Sequence, residues 1–182
     1  MTGRSPLPLL FLDVDGPLLP FGGTPREHPA STAHGHRATP AAGAAANPLL
    51  ARLDPALGPR LLALPCELVW ATTWMADANT DVAPAIGLPD LPVLDPPELS
   101  EEQQRADERR GLHWKTRALV GLAGARPFAW VDDEITAADR AWVAAHHAGP
   151  ALLHRVDPRT GLTEADFAAL DRWLRGAGAA RE

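Results

Sequence analysis

Cysteine is almost missing from this chain of 182 residues: Cys66 stands alone, so no disulfide can close within it. That fits a reducing, cytoplasmic setting, and at the head of an apolar run Cys66 reads as a small core residue. Long apolar runs are missing too. No stretch approaches the roughly 18 residues of a membrane span, so a membrane is not expected as a partner. The short apolar segment after Arg4 is ended by Asp13 with no small-residue cleavage site behind it, and is not read as a signal peptide. Positive charge is in deficit. A formal net charge of −6 argues against a general nucleic-acid-binding surface, while a local basic groove stays open. Arg105, Arg109 and Arg110 form the one dense basic cluster.

Lysine is the scarcest cation. Of 17 Lys and Arg residues only Lys115 is a lysine. With abundant Ala and Pro, such a bias points to pressure on the coding sequence rather than on the fold. A lysine that persists against it marks a place where a planar guanidinium cannot replace a compact ammonium. The alternative is chance survival of a surface lysine.

What the chain does contain is enough apolar material for a core. Hydrophobic residues make up 46%, and the length suits one domain rather than two. The segment that organises it is Leu9-Leu10-Phe11-Leu12-Asp13-Val14-Asp15-Gly16. An apolar run of strand length ends in two carboxylates at i and i+2, which point the same way from an extended backbone. Side by side they repel, and one protonates unless a cation neutralises them. A hard divalent cation such as Mg²⁺ suits carboxylate and carbonyl oxygens and keeps waters for a phosphate. Read alone, the segment is also an ordinary buried strand running into an Asp-Gly turn.

In chain order, residues 7–12 read as a first strand buried on both faces. From Pro17 to Asn47 no period is sustained, which predicts a long loop or flap, and His28, His34 and His36 within it read as solvated rather than as ligands. Asp54-Pro55 signals a helix start, running to about Leu64 and loosened by Gly58 and Pro59. Glu67 to Ala71 is the second strand, ending in Thr72-Thr73-Trp74. A helix over about 75–86 closes at Gly87, and Pro92-Val93-Leu94 is a short third strand. Residues 95–111 form a solvated excursion with an exposed helix around Glu101–Arg110. His113 to about Ala123 is helical, with Gly124 as its C-cap. Pro127 to Val131 is the fourth strand, ending in Asp132-Asp133-Glu134. Thr136 to His147 has helical spacing, with Ile135, Ala138, Trp142 and Val143 on its inner side. Ala151 begins a fifth strand to about Val156. Thr163 and Asp166 cap a last helix, whose buried stripe is Phe167, Leu170 and Leu174. Alternating strands and helices predict an α/β fold, a three-layer Rossmann-like parallel sheet covered on both faces, in a single domain over 1–182.

Ligands of such sheets bind outside the carboxyl ends of the strands. Three apolar strands end there in Asp13/Asp15, Thr72/Thr73 and Asp132/Asp133, and Lys115 lies in the first turn of the helix before the fourth strand. With these motifs in hand, FLDVDG, LVWATTW, HWKTRAL and FAWVDDE, the chain resembles the haloacid-dehalogenase-like (HAD) superfamily of Mg²⁺-dependent phosphohydrolases from Phe11 to Asp133. The resemblance implies that Asp13 attacks the phosphoryl group and forms an aspartyl-phosphate. It implies that Asp15 protonates the leaving oxygen and later activates water, its backbone carbonyl helping to hold the metal. Thr72, or Thr73, would bind a phosphate oxygen, Lys115 would balance the charge, and Asp132 and Asp133 would hold Mg²⁺. Pro17 departs from the usual Thr or Val after the glycine and stiffens that turn.

No segment is large enough for a separate cap domain, and an open site suits a bulky phosphorylated substrate such as a polymer end. The runs LVWATTWMADAN, HWKTRALVGLAG and FAWVDDEITAADRAW also resemble a capless subgroup associated with bacterial RNA-repair proteins. Trp74 and Trp114, beside the motif residues, either pack the sheet edge or stack on a base. The expectation is a phosphomonoester hydrolase acting on a small molecule or polymer end. The alternatives are a nucleic-acid end phosphatase and a phosphate- or partner-binding module without turnover.

Overall fold

A computed structural model of the chain describes residues 6–22 and 48–179. Four strands, β1 (Leu9–Leu12), β2 (Glu67–Trp70), β3 (Phe128–Asp132) and β4 (Ala151–Arg155), form one parallel sheet in the order β2-β1-β3-β4. Leu9 lies opposite Glu67 on one side and Phe128 on the other, and Phe128 lies opposite Ala151. The helices between and after them are α1 (Leu57–Leu62), α2 (Ala83–Ile86), α3 (Glu101–Arg110), α4 (Thr116–Ala123), α5 (Ala137–His146) and α6 (Glu164–Ala179).

The strand alternation distributes the apolar side chains to two faces. Leu10 and Leu12 of β1 join Trp70, Val131, Leu61 of α1, Ile86 of α2 and Phe167, Leu170 and Leu174 of α6 in one core. Leu9 and Phe11 join Val69, Trp130, Leu119 of α4 and Val143 of α5 in the other. Each such side chain stabilises the fold by roughly 1.5–3 kcal/mol when fully buried, and a strand apolar on both faces is what a sheet between two helical layers requires. Trp70 is fully buried, and its indole N–H donates to Asn79 Oδ1 at 2.7 Å. Asn79 also pairs with the backbone of Leu91, accepting at 2.9 Å and donating at 2.8 Å.

Some expected elements take a different form. The third strand, Pro92–Leu94, shrinks to a single bridge between Trp70 and Val93. Trp70 N–H donates to Pro92 C=O and Leu94 N–H to Trp70 C=O, but Pro92 has no N–H with which to extend the ladder. The helix expected over about 75–86 contains a π-helical turn, Ala78–Val82, before α2, and ends as expected on Gly87 in the left-handed region at φ 75°. The first helix starts later than Asp54, whose carboxylate instead closes a turn with Ala56 N–H at 2.9 Å. Gly58 lies within α1. A Cβ there would lie 1.7 Å from the Ile86 carbonyl oxygen, so the glycine lets α1 and α2 touch.

Of the flap expected over 17–47, residues 17–20 are tightly folded. Leu18 and Leu19 are buried, their N–H groups donate to Val14 C=O, and Pro17 C=O accepts from Leu162 N–H at 3.0 Å. The remainder beyond Gly22, with His28, His34 and His36, lies outside the described residues. Among the described residues the excursion over 95–111 carries only α3, with a Ser100–Gln103 capping box, and no cap domain. No described helix is long and apolar enough to cross a membrane.

Candidate active site

The chain leaves β1 for β2 on one side of the sheet and returns as β3 on the other side of β1. The strand ends diverge at such a reversal and leave a crevice, and Asp13 stands there as the first residue past β1. Its N–H continues the ladder to Val131 C=O at 3.1 Å, which fixes its carboxylate beside the end of β3. Asp13, Thr72, Lys115, Asp132 and Asp133 are all buried.

Lys115 sits at the N-cap position of α4 and reaches between two strand ends. Its Nζ lies 2.8 Å from Asp13 Oδ2 and 2.7 Å from Asp132 Oδ2. Asp132 Oδ2 also accepts from Trp130 Nε1 at 3.1 Å, and its Oδ1 accepts from Glu134 N–H at 2.9 Å. Asp13 Oδ1 accepts from Val14 N–H at 2.7 Å, and the nearby Thr72 hydroxyl helps to lower the pKa of the same carboxyl. Thr73 is exposed. Of the two threonines it is therefore Thr72 that meets Asp13. Asp133 packs onto Gly16, where a Cβ would lie 2.7 Å from the Asp133 carboxyl carbon and where φ is +83°. The glycine of FLDVDG is thus required twice, for the turn and for the approach of β3's end.

Burial raises the Asp13 carboxyl from its ordinary 3.8 to about 6, opposed by Lys115 and reinforced by Asp132. Asp133 is raised as well, by burial and then by Asp132. Burial is the larger cause in both, and one ammonium facing three carboxylates leaves it uncompensated. Oxygen atoms of Asp13, Asp132 and Asp133 all lie within 4.8 Å of one another. All-oxygen donors with surplus negative charge fit a hard divalent cation. The Asp15 carboxylate is not among them; it accepts from Trp74 Nε1 at 3.0 Å.

Several contributors were not singled out in the sequence. Asp139, fully buried in α5, accepts from His113 N–H at 2.8 Å and from the Thr116 hydroxyl at 2.6 Å. It thereby clamps both sides of Lys115. His113 Nδ1 accepts from Lys115 N–H at 3.2 Å, and its Nε2 lies 3.3 Å from Glu134 Oε2. The spacing Thr136-x-x-Asp139 announces a helix cap, but nothing in it announces a contact with the segment before α4.

Sheet order and site chemistry together define a class, the haloacid-dehalogenase-like domains. Within that class a family model, described as the HAD domain in Swiss Army Knife RNA repair proteins, matches residues 9–167, and the chain belongs to this family. Membership places it among phosphatase-type hydrolases at the level of the superfamily. Neither a curated protein nor a solved structure matches it.

Proposed function

We propose that the chain is a Mg²⁺-dependent phosphomonoester hydrolase that works through an aspartyl-phosphate on Asp13. The observation that carries this reading is Lys115 Nζ held between Asp13 and Asp132, 2.8 and 2.7 Å away, with Asp133 completing an oxygen cluster. Asp13, Asp132 and Asp133, with the Asp15 backbone carbonyl, would hold the ion, which supplies charge neutralisation for the phosphoryl oxygens.

In the first half-reaction an Asp13 carboxylate oxygen attacks phosphorus. The bond to the leaving oxygen breaks, and Asp15 delivers the proton that oxygen needs. Lys115 and the Thr72 hydroxyl, preorganised by their contacts with Asp13, offset charge on the transferring group. In the second half Asp15 takes a proton from water, the water oxygen attacks phosphorus, and the Asp13–phosphate bond breaks to release inorganic phosphate. The Asp15 carboxylate, bonded to Trp74 Nε1 and outside the cluster of Asp13, Asp132 and Asp133, would be left to carry that proton.

The substrate class we favour within this reading is a phosphorylated RNA end, supported by the name of the family and by the absence of a cap among the described residues. The test is phosphate release from an aryl phosphate, from sugar phosphates and from terminally phosphorylated oligonucleotides, with and without Mg²⁺. Asp13→Asn is expected to abolish release in every case. Activity that survives this substitution refutes the mechanism, and Mg²⁺ binding with no turnover across the panel favours a binding module instead.

A further inference from the structure

We infer that the cavity walled by Trp114 receives the terminal nucleobase of a phosphorylated polynucleotide end, stacked on that ring; this rests on the phosphohydrolase reading, which puts the phosphate at Asp13. The cavity, of about 270 Å³, lies between the 95–112 excursion and α4, and Trp114 forms one wall. Trp70 and Trp130 are wholly buried, whereas Trp114 is 40% exposed, so core packing does not account for it. Its ring centroid is 5.5 Å from Lys115 Nζ, and Nζ is 2.8 Å from Asp13. The catalytic ammonium and the cavity therefore share this ring as a boundary. Trp114 thus adjoins both the ammonium that would meet the phosphate and the cavity that would take the base.

The lining chooses the chemistry of the occupant. Pro96, Pro97, Leu99 and Leu112 supply apolar walls. Two charged members cancel, since Arg117 donates to both oxygens of Asp107 at 2.6 and 2.7 Å. Glu108 remains and disfavours a second phosphate. An uncharged planar ring suits these walls, and the volume, below the roughly 300–1,000 Å³ of pockets for larger ligands, suits a single ring system. Every base has a π-face, so stacking here confers little sequence preference. Arg109 and Arg110, exposed on the helix that supplies Glu108, offer counter-charge to the phosphates that follow in a polymer.

The test is calorimetric titration of the Asp13→Asn protein with Mg²⁺ and three probes. One is a short single-stranded RNA bearing a terminal phosphate, the second is the same strand with its phosphorylated terminal residue abasic, and the third is a nucleoside monophosphate. The base-bearing strand is expected to bind about tenfold or more tightly than the abasic one. Trp114→Ala should erase the difference, and Trp114→Phe should retain most of it. Equal affinities in Asp13→Asn, or no binding of the base-bearing strand, overturn the inference. Binding of the mononucleotide as tight as that of the RNA assigns the cavity to free nucleotides and also overturns it. The two readings fail separately. If the unsubstituted protein releases no phosphate while the base preference persists, the hydrolase reading falls and the cavity assignment stands. If it releases phosphate from both strands with one KM, the reverse holds.

Discussion

Lys115 answers two buried carboxylates with one ammonium, and its side chain has no room to be anything else. Arginine would keep the charge, but its planar fork does not reproduce a single nitrogen 2.8 Å from Asp13 and 2.7 Å from Asp132. Lys115→Arg is therefore expected to fold but to lose phosphatase activity by about a hundredfold or more, whereas Lys115→Met leaves both carboxylates unpaired. Breaking a buried pair in that way costs about 3–5 kcal/mol, read as a lower midpoint in urea. Wild-type activity in Lys115→Arg would contradict the geometric account. This residue was legible in the sequence because lysine is otherwise absent there. Trp74 was legible only as a neighbour of the motif; that its indole N–H reaches Asp15 depends on how the turn after Thr72 folds, with Met75 at φ 48°. Trp74→Phe keeps the ring and removes the donor. It is expected to lower kcat about tenfold with little change in KM, since the phosphate contacts proposed for Thr72 and Lys115 are untouched.

At the scale of elements, α5 does more than cover the sheet. Its N-terminal cap is a reciprocal Thr136–Asp139 box, and the same Asp139 carboxylate accepts from His113 and Thr116 on either side of Lys115. Burial raises this carboxyl, but its hydrogen bonds outweigh burial and hold it below the usual range. Asp139→Asn places an amide N–H₂ where only acceptors fit. We expect a loss of about 1–3 kcal/mol together with a fall in kcat, both read on the same preparation by denaturant titration and steady-state kinetics. A stable variant with unchanged kcat would show that Lys115 needs no such clamp. The helices and strands themselves were largely legible, because continuous apolar runs and 3.6-residue stripes are local signals. Pairing is not local. Nothing in Pro92-Val93-Leu94 shows that it meets only Trp70, and nothing near Gly58 shows that the Ile86 carbonyl lies against it. The convergence of the strand ends was legible because a parallel sheet puts every carboxyl end on one edge.

For the whole molecule the governing quantity is the imbalance of three site carboxylates against one ammonium, and it makes stability depend on pH and metal together. The folded pKa of Asp13 is raised to about 6 from 3.8. The folded state thus holds this proton more tightly than the unfolded chain. In metal-free protein the contribution of Asp13 to stability is fully present below about pH 4 and declines as pH rises toward about 6. Asp133 acts in the same direction. Groups elsewhere act oppositely: burial lowers His147 below 6.5, so its contribution is lost as pH falls below that value, and Asp166, held low by Thr163 and His154 against the effect of burial, loses its contribution in acid. These distant terms are common to protein with and without metal and cancel in the shift of Tm that Mg²⁺ produces. That shift isolates the site, because a cation must displace any proton on its ligands. Mg²⁺ is expected to raise Tm more at pH 7.5 than at pH 5, with the increase concentrated around pH 6. Asp13→Asn should weaken this dependence, leaving only the part that Asp133 contributes. An equal Mg²⁺ shift at both pH values in the unsubstituted protein would place the ion away from Asp13 and detach the carboxylate cluster from the chemistry assigned to it.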